Sequence, residues 1–97
     1  MFDMLLDDFV FAMQHGNEIE FRINGELYFL QPDYTMFDQR WNDKKPPYPY
    51  SVLYKCDDYE KPMEVFRGTT EEVINYKFYN MFTLKCDFLK FQIDYSL

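Results

Sequence analysis

The sequence predicts an α+β fold, in which an N-terminal helix packs on an antiparallel sheet of about four strands and one or two helices follow near the carboxyl end. Three observations predict this class. Apolar residues recur at helical spacing near the N-terminus, an Asn-Gly pair separates two alternating runs, and a Thr-Thr-Glu-Glu sequence precedes another apolar run. A chain of 97 residues can build one hydrophobic core, so residues 1–97 are expected to form a single domain.

The first predicted element is an amphipathic helix. Asp3 is the expected cap of its first turn, Asp7 and Asp8 lie toward its positive end, and Gly16 suits a left-handed stop. Phe11 falls outside the apolar stripe, so it either flanks the core or is partly exposed. The stripe itself has the i, i+3, i+4, i+7 spacing of one helix face and consists of Phe2, Leu5, Leu6, Phe9, Val10 and Met13.

A β-hairpin is predicted next, because Asn24-Gly25 separates two short alternating runs and a type I′ turn requires positive φ at both central residues. A two-residue loop sets the register, and one face of the hairpin is expected to lie on the first helix. The opposite face carries Leu27 and Phe29, which must be covered by another element or by a partner. The expected pairs on the helix side are Ile23 with Glu26, Phe21 with Tyr28, and Ile19 with Leu30.

The middle of the chain has a weaker pattern. Residues 34–41 and 51–56 are the candidates for a third and a fourth strand. Three prolines in residues 42–49 favour an extended loop between them. Residues 56–62 are rich in acids and predict a polar turn.

A second helix is expected to start near Thr69, because Thr69 and Glu72 have the spacing of a capping box. Val73 and Ile74 would face inward, and the helix would end before Asn80. The tail from residue 82 onward combines a short helical pattern with a strand-like alternation, which predicts a helix followed by a short edge strand.

Charge and length exclude several classes of protein. Ten Lys and Arg residues against 17 Asp and Glu give a net charge of -7, which argues against direct binding to nucleic acid or to an anionic membrane. The longest apolar run, residues 9–13, is far too short to span a bilayer. Without a visible secretory signal, a cytoplasmic location is expected, with Cys56 and Cys86 reduced and serving as small packing residues.

No motif for a cofactor, a metal or a catalytic nucleophile is present. The chain has one histidine, His15, and none of the C-x-x-C, H-x-x-x-H or calcium-loop spacings. Neither Ser51 nor Ser96 lies in a nucleophile elbow. The prediction is therefore a non-enzymatic protein without cofactors, although a pair among 17 acids could still form a carboxylate site.

Two stretches of the sequence resemble a known family. Gly16-Asn-Glu-Ile-Glu-Phe21 followed by Asn24-Gly25-Glu-Leu-Tyr28 is similar to the G-x-E-I-E-F-x-x-N-G-x-x-Y hairpin of small acidic α+β proteins of Gram-positive bacteria and their prophages. The similarity covers about the first third of the chain. It implies the helix-hairpin fold and a bacterial or phage origin, and the shared positions are structural, so no functional residue is transferred.

Surface contacts are therefore the best candidate for function. Nine tyrosines, eleven phenylalanines and one tryptophan are many for a small core, and aromatic residues are common at interface hot spots. The alternative is that the rings simply fill the core. The candidate partner-binding residues are an apolar set and an acidic set, namely Leu27, Phe29, Trp41, Tyr48 and Tyr50, and Asp57, Asp58 and Glu60.

These features lead to a functional hypothesis. The chain is expected to be a protein-binding module of bacterial or phage origin that inhibits a host defence or nucleic-acid enzyme through acidic and aromatic surface, as anti-CRISPR proteins do. Its partner would be a host or cognate protein with a basic surface. The alternatives are an immunity protein that neutralises a toxin and a small enzyme with an unrecognised carboxylate site.

Overall fold

The computed structural model describes residues 5–33, 48–56 and 61–96. Five strands form one antiparallel sheet in the order β4-β3-β2-β1-β5. The α+β class is confirmed, with five strands rather than about four. In chain order the elements are α1 (Leu6–Gln14), β1 (Ile19–Ile23), β2 (Glu26–Pro32), β3 (Tyr50–Lys55), β4 (Met63–Thr69), α2 (Thr70–Ile74), α3 (Leu84–Asp87), a 3-10 turn (Phe88–Lys90) and β5 (Gln92–Ser96).

The β1–β2 hairpin has the predicted turn and register. Asn24 and Gly25 have φ of 53° and 78°, as a type I′ turn requires. The three expected pairs are all present, Ile23 with Glu26, Phe21 with Tyr28, and Ile19 with Leu30. The Asn24-Gly25 turn therefore sets the strand register, and the register determines which face of the hairpin packs in the core.

The first helix is confirmed, and α1 enters the core through Phe9 and Met13 of the predicted stripe together with Ala12. Leu5, also placed in that stripe, is instead exposed, because it precedes the helix. Gly16 follows with a φ of 85°, in agreement with the predicted left-handed stop. Leu5 is the residue before the helix and provides no side-chain cap. The predicted cap, Asp3, lies outside the described residues.

Strand β3 confirms the strand predicted at 51–56, whereas the strand predicted at 34–41 lies outside the described ranges. Strand β4 was not predicted. A bulge explains why, because Leu53 pairs with Phe66 while Tyr54 pairs with Glu64, which leaves Val65 as an extra residue. Consecutive Val65 and Phe66 both pack against the core, so the strand lacks the alternation that would identify it.

The capping box of α2 is confirmed, since Glu72 N donates to Thr69 Oγ1 and Thr69 N donates to Glu72 Oε1. The helix ends at Ile74, earlier than predicted. The Asn75 amide nitrogen donates to the Glu71 carbonyl at the C-cap, and the chain then enters a turn at Phe78. The predicted short helix and edge strand of the tail are confirmed as α3 and β5.

Phenylalanine and tyrosine rings fill the space between the sheet and the helices. The predicted core residues Phe9, Phe21 and Tyr28 are all buried. Phe78 is the central ring of this cluster, because it makes edge contacts with four other rings at centroid distances of 4.9 to 5.9 Å. Those four rings belong to Phe21, Tyr28, Tyr76 and Phe91.

Candidate functional site

The predicted apolar partner residues are less exposed than expected. Leu27 is only 7% exposed, a correction to its assignment as a surface contact, because it lies on central strand β2 with Arg22 of β1 opposite it. Phe29 is half-buried beside the ring of Tyr54, with the ring centroids 6.1 Å apart. Leu27 is therefore inaccessible at the surface, and only part of the Phe29 ring is accessible.

Of the remaining predicted partner residues, two are half-buried and four lie outside the described residues. Tyr48 and Tyr50 are half-buried, and the Tyr48 ring packs so closely on Gly16 that a Cβ there would lie 2.6 Å from it. The Tyr48 amide nitrogen also donates to the Gln14 carbonyl at 2.6 Å. The others lie outside the described residues, namely Trp41, Asp57, Asp58 and Glu60.

Exposure singles out two aromatic residues that were not among the candidates. Of the phenylalanine and tyrosine side chains that the structure describes, only Phe11 and Tyr79 are exposed, at 61% and 42%. The core alternative therefore accounts for most of the described rings. The other large exposed apolar side chains in the described ranges are Leu5, Met63, Met81 and Leu89.

Tyr79 lies in a tight turn, here called the 78–82 turn, that has an uncommon backbone. The backbone of Phe78 is bridged to that of Phe82 by two hydrogen bonds of 2.7 and 3.0 Å, and Met81 N donates to Phe78 O at 3.0 Å. Tyr79 and Asn80 have φ of 56° and 55°. Asparagine tolerates the left-handed region, but tyrosine adopts it rarely, and such residues persist only when surrounding contacts hold them.

A hydrogen-bond network holds Tyr79 in place. Its hydroxyl donates to the Glu26 carboxylate and lies 3.4 Å from the Ile23 carbonyl oxygen. The Tyr28 hydroxyl lies 3.4 Å from that of Tyr79, and Lys55 Nζ is 3.4 Å from Glu26 Oε2. The tip of the first hairpin thus fixes the 78–82 turn although the two are about fifty residues apart in sequence.

The network changes the acidity of two of its members. The hydrogen bond from Tyr79, assisted by Lys55, lowers the pKa of Glu26, so this side chain is a carboxylate at neutral pH. Burial, together with the neighbouring Tyr79 hydroxyl, raises the pKa of Tyr28 above its ordinary value. The phenol of Tyr28 therefore stays protonated and acts as a donor beside the carboxylate.

The 78–82 turn presents two exposed side chains on a hydrogen-bonded backbone. Met81 is 68% exposed and lies two residues from the exposed Tyr79 ring. A ring whose hydroxyl and backbone are both fixed loses little conformational freedom on contact with a partner. The sequence signal for this turn was weak, because Tyr79-Asn80 offers only one residue that favours left-handed backbone.

The described residues offer no metal centre. In the ranges that the structure describes, no group of three or more His, Cys, Asp and Glu side chains could hold an ion. Neither cysteine forms a disulfide in the described ranges; Cys56 is half-buried and Cys86 is exposed. The expectation that both serve as packing residues is therefore wrong for Cys86, because its side chain is exposed on α3.

Within the described ranges, no helix combines the length and the apolar character needed to cross a bilayer.

Comparison with known proteins does not identify a relative. No family model, no curated protein and no solved structure matches the chain. The resemblance to small acidic proteins of Gram-positive bacteria and prophages stays a prediction, and the function must be argued from the surface of this chain.

Proposed function

We propose that this chain is a non-enzymatic protein-binding module of bacterial or phage origin that inhibits a host defence or nucleic-acid enzyme. The observation that carries the proposal is the 78–82 turn, where Tyr79 and Met81 are exposed on a backbone held by the Glu26 network. Residues with an uncommon backbone cluster at functional sites, and fixed aromatic side chains are frequent hot spots of interfaces.

The charge of the chain supports a basic partner. A net charge of -7 attracts proteins with positive surfaces and accelerates encounter at low salt. Enzymes that act on nucleic acids carry such surfaces because they must bind phosphates. In this proposal, the net charge raises the association rate, and Tyr79 and Met81 of the 78–82 turn form the apolar contact.

The proposal is tested by capture from a bacterial lysate at low salt, with the full chain as bait. Met81→Asp places a charge on the 78–82 turn and is expected to reduce the retained partner by about tenfold. Leu89→Asp is the matched control, because Leu89 is 96% exposed and lies on the 3-10 turn. Circular dichroism would verify that both variants fold.

The outcomes separate the functional classes. Equal retention by the two variants, or retention of no protein, would contradict the proposal. A retained host nuclease or defence enzyme would identify an inhibitor, whereas a retained toxin would identify an immunity protein. Leu27→Asp is unsuitable as a binding test, because Leu27 is buried and the substitution would unfold the chain.

A further inference from the structure

The outer face of α1 combines an exposed ring with acidic side chains. Phe11 is 61% exposed, and Asp7 and Asp8 precede it by four and three residues, which places all three on one side of the helix. His15 follows Phe11 by four residues on the same side. We call these four residues the outer face of α1.

The ring of Phe11 is held in one orientation. It stacks on the His15 imidazole with centroids 3.8 Å apart and an interplanar angle of 22°. His15 Nδ1 lies 2.8 Å from the Phe11 carbonyl oxygen, which fixes the imidazole against the helix end. A fixed ring is prepared for contact, since little freedom remains to be lost on binding.

Phe11 lies outside the hydrophobic core. The opposite side of α1 supplies the core contacts, through Phe9, Ala12 and Met13. The Phe11 ring lies outside that packing, and its described ring contact is the stack on His15. Its exposed surface is therefore available to a contact outside the chain.

The charge of the outer face defines the partner. Residues 5–15 include no lysine or arginine, and no ion pair joins Asp7 or Asp8 to the part of the chain that the structure describes. Two carboxylates with no ion pair in the described ranges, beside an exposed ring, complement an apolar pocket with lysine or arginine at its rim. An acidic or purely apolar partner would leave these charges opposed or desolvated without a counter-charge.

We infer that the outer face of α1 is a second docking surface, which inserts Phe11 into an apolar pocket of a partner protein while Asp7 and Asp8 pair with basic residues at the pocket rim. The inference rests on the proposed protein-binding function and adds a defined contact to it. It treats α1 as a helix that binds through its exposed side.

Photo-crosslinking tests the contact directly. The full chain carrying p-benzoylphenylalanine at position 11 is irradiated in a bacterial lysate, and a chain with the same group at position 89 is the control. Mass spectrometry of the product is expected to place the cross-link in another protein, at an apolar site flanked by lysine or arginine side chains. A cross-link to a second copy of the chain, or none at position 11, would overturn the inference.

Binding constants then separate the ring from the charges, with the purified cross-linked protein as the probe. Phe11→Ala is expected to raise the Kd about tenfold while the chain stays folded. Asp7→Asn/Asp8→Asn is expected to raise the Kd at low salt and to weaken its salt dependence. Glu18→Gln/Glu71→Gln removes the same charge elsewhere and should change the Kd less.

The results also distinguish the two proposals. A protein lost with Met81→Asp but bound equally by Phe11→Ala and the parent chain would overturn this inference and leave the proposed function intact. Equal effects of the two charge-neutralised variants would likewise overturn it, because net charge alone would then explain the binding. Retention of no protein would contradict both.

Discussion

The ion pair between Asp33 and Arg67 joins the end of β2 to the edge strand β4. Asp33 is 1% exposed, and its Oδ1 lies 2.7 Å from Arg67 Nη1. Arg67 also forms an ion pair with Glu64. Both carboxylates raise the pKa of the guanidinium, and Glu64 has the larger effect. A buried carboxylate is costly unless donors compensate it, so Asp33 depends on this contact.

Removal of the donor should therefore destabilise the fold through Asp33. We expect Arg67→Met to lower the free energy of unfolding by roughly 2 kcal/mol, the range for a buried acceptor that loses a partner. Lys77→Met, at an exposed position, should have little effect. Urea unfolding measures both, and Asp33→Asn/Arg67→Met should recover part of the loss because the buried charge is removed with its partner.

The short helix α2 depends on its cap, since five residues give few internal hydrogen bonds. Thr69 Oγ1 accepts from Glu72 N at 3.2 Å, and Glu72 Oε1 accepts from Thr69 N at 3.0 Å. The next hydroxyl, Thr70 Oγ1, is buried and has no hydrogen-bond partner among the described residues. Of these two adjacent threonines, Thr69 therefore stabilises the helix start through a hydrogen bond, whereas the Thr70 hydroxyl contributes none among the described residues.

We expect the two threonines to respond differently to substitution. Thr69→Ala should lower the free energy of unfolding by about 1 kcal/mol, because the capping bond is lost, whereas Thr69→Ser should retain most of it. Thr70→Val should be neutral or stabilising, since it replaces an unsatisfied hydroxyl by a methyl group of similar shape. Thermal unfolding measures all three variants, and equal losses from Thr69→Ala and Thr70→Val would contradict the assignment.

Elements with a local chemical signal could be predicted from the sequence. Asn24-Gly25 and the Thr69–Glu72 box determine their own backbone, so the hairpin and the start of α2 followed from a few residues. Strand β4 could not be predicted, because the bulge at Val65 removes its alternation. The site was missed for a similar reason, since Tyr79 is held by Glu26, a contact that only tertiary structure creates.

At the scale of the whole molecule, both outer strands of the sheet carry irregularities. Pairing shifts between Leu53 and Tyr54 next to β4, and between Glu20 and Phe21 next to β5. Bulges and charges at sheet edges discourage the addition of another strand. The exposed rings of the helix and of the 78–82 turn are therefore better docking features than the sheet edges.

The pH dependence of stability is also a property of the whole molecule. Backbone and side-chain hydrogen bonds from Thr69 lower the pKa of Glu72, and the bond from Tyr79 lowers that of Glu26. A carboxyl with a lowered pKa in the folded state contributes stability above its ordinary pKa of 4.5, and this contribution is lost as pH falls through the lowered value. The raised pKa of Tyr28 affects stability at alkaline pH. Its contribution to the free energy of unfolding is present below the ordinary pKa of 10.0 and is lost as pH rises above that value.

We therefore expect the melting temperature to fall below pH 4.5 and above pH 10.0. Tyr79→Phe removes the donor to Glu26 and should make the decline below pH 4.5 shallower than in the parent chain. Thr69→Ala removes only the side-chain contribution to the lowered pKa of Glu72 and keeps the backbone donor Thr69 N, so it should make the decline only slightly shallower. Lys77→Met, at an exposed position that does not contribute to the lowered pKa of either carboxyl, is the control and should follow the parent curve. Calorimetry across the acid range measures the slopes, and parallel curves for all four proteins would show that these two carboxyls do not govern acid stability. NMR titration of the Glu26 carboxyl in Tyr79→Phe completes the test, since its pKa should rise toward the ordinary value once the tyrosine hydroxyl is absent.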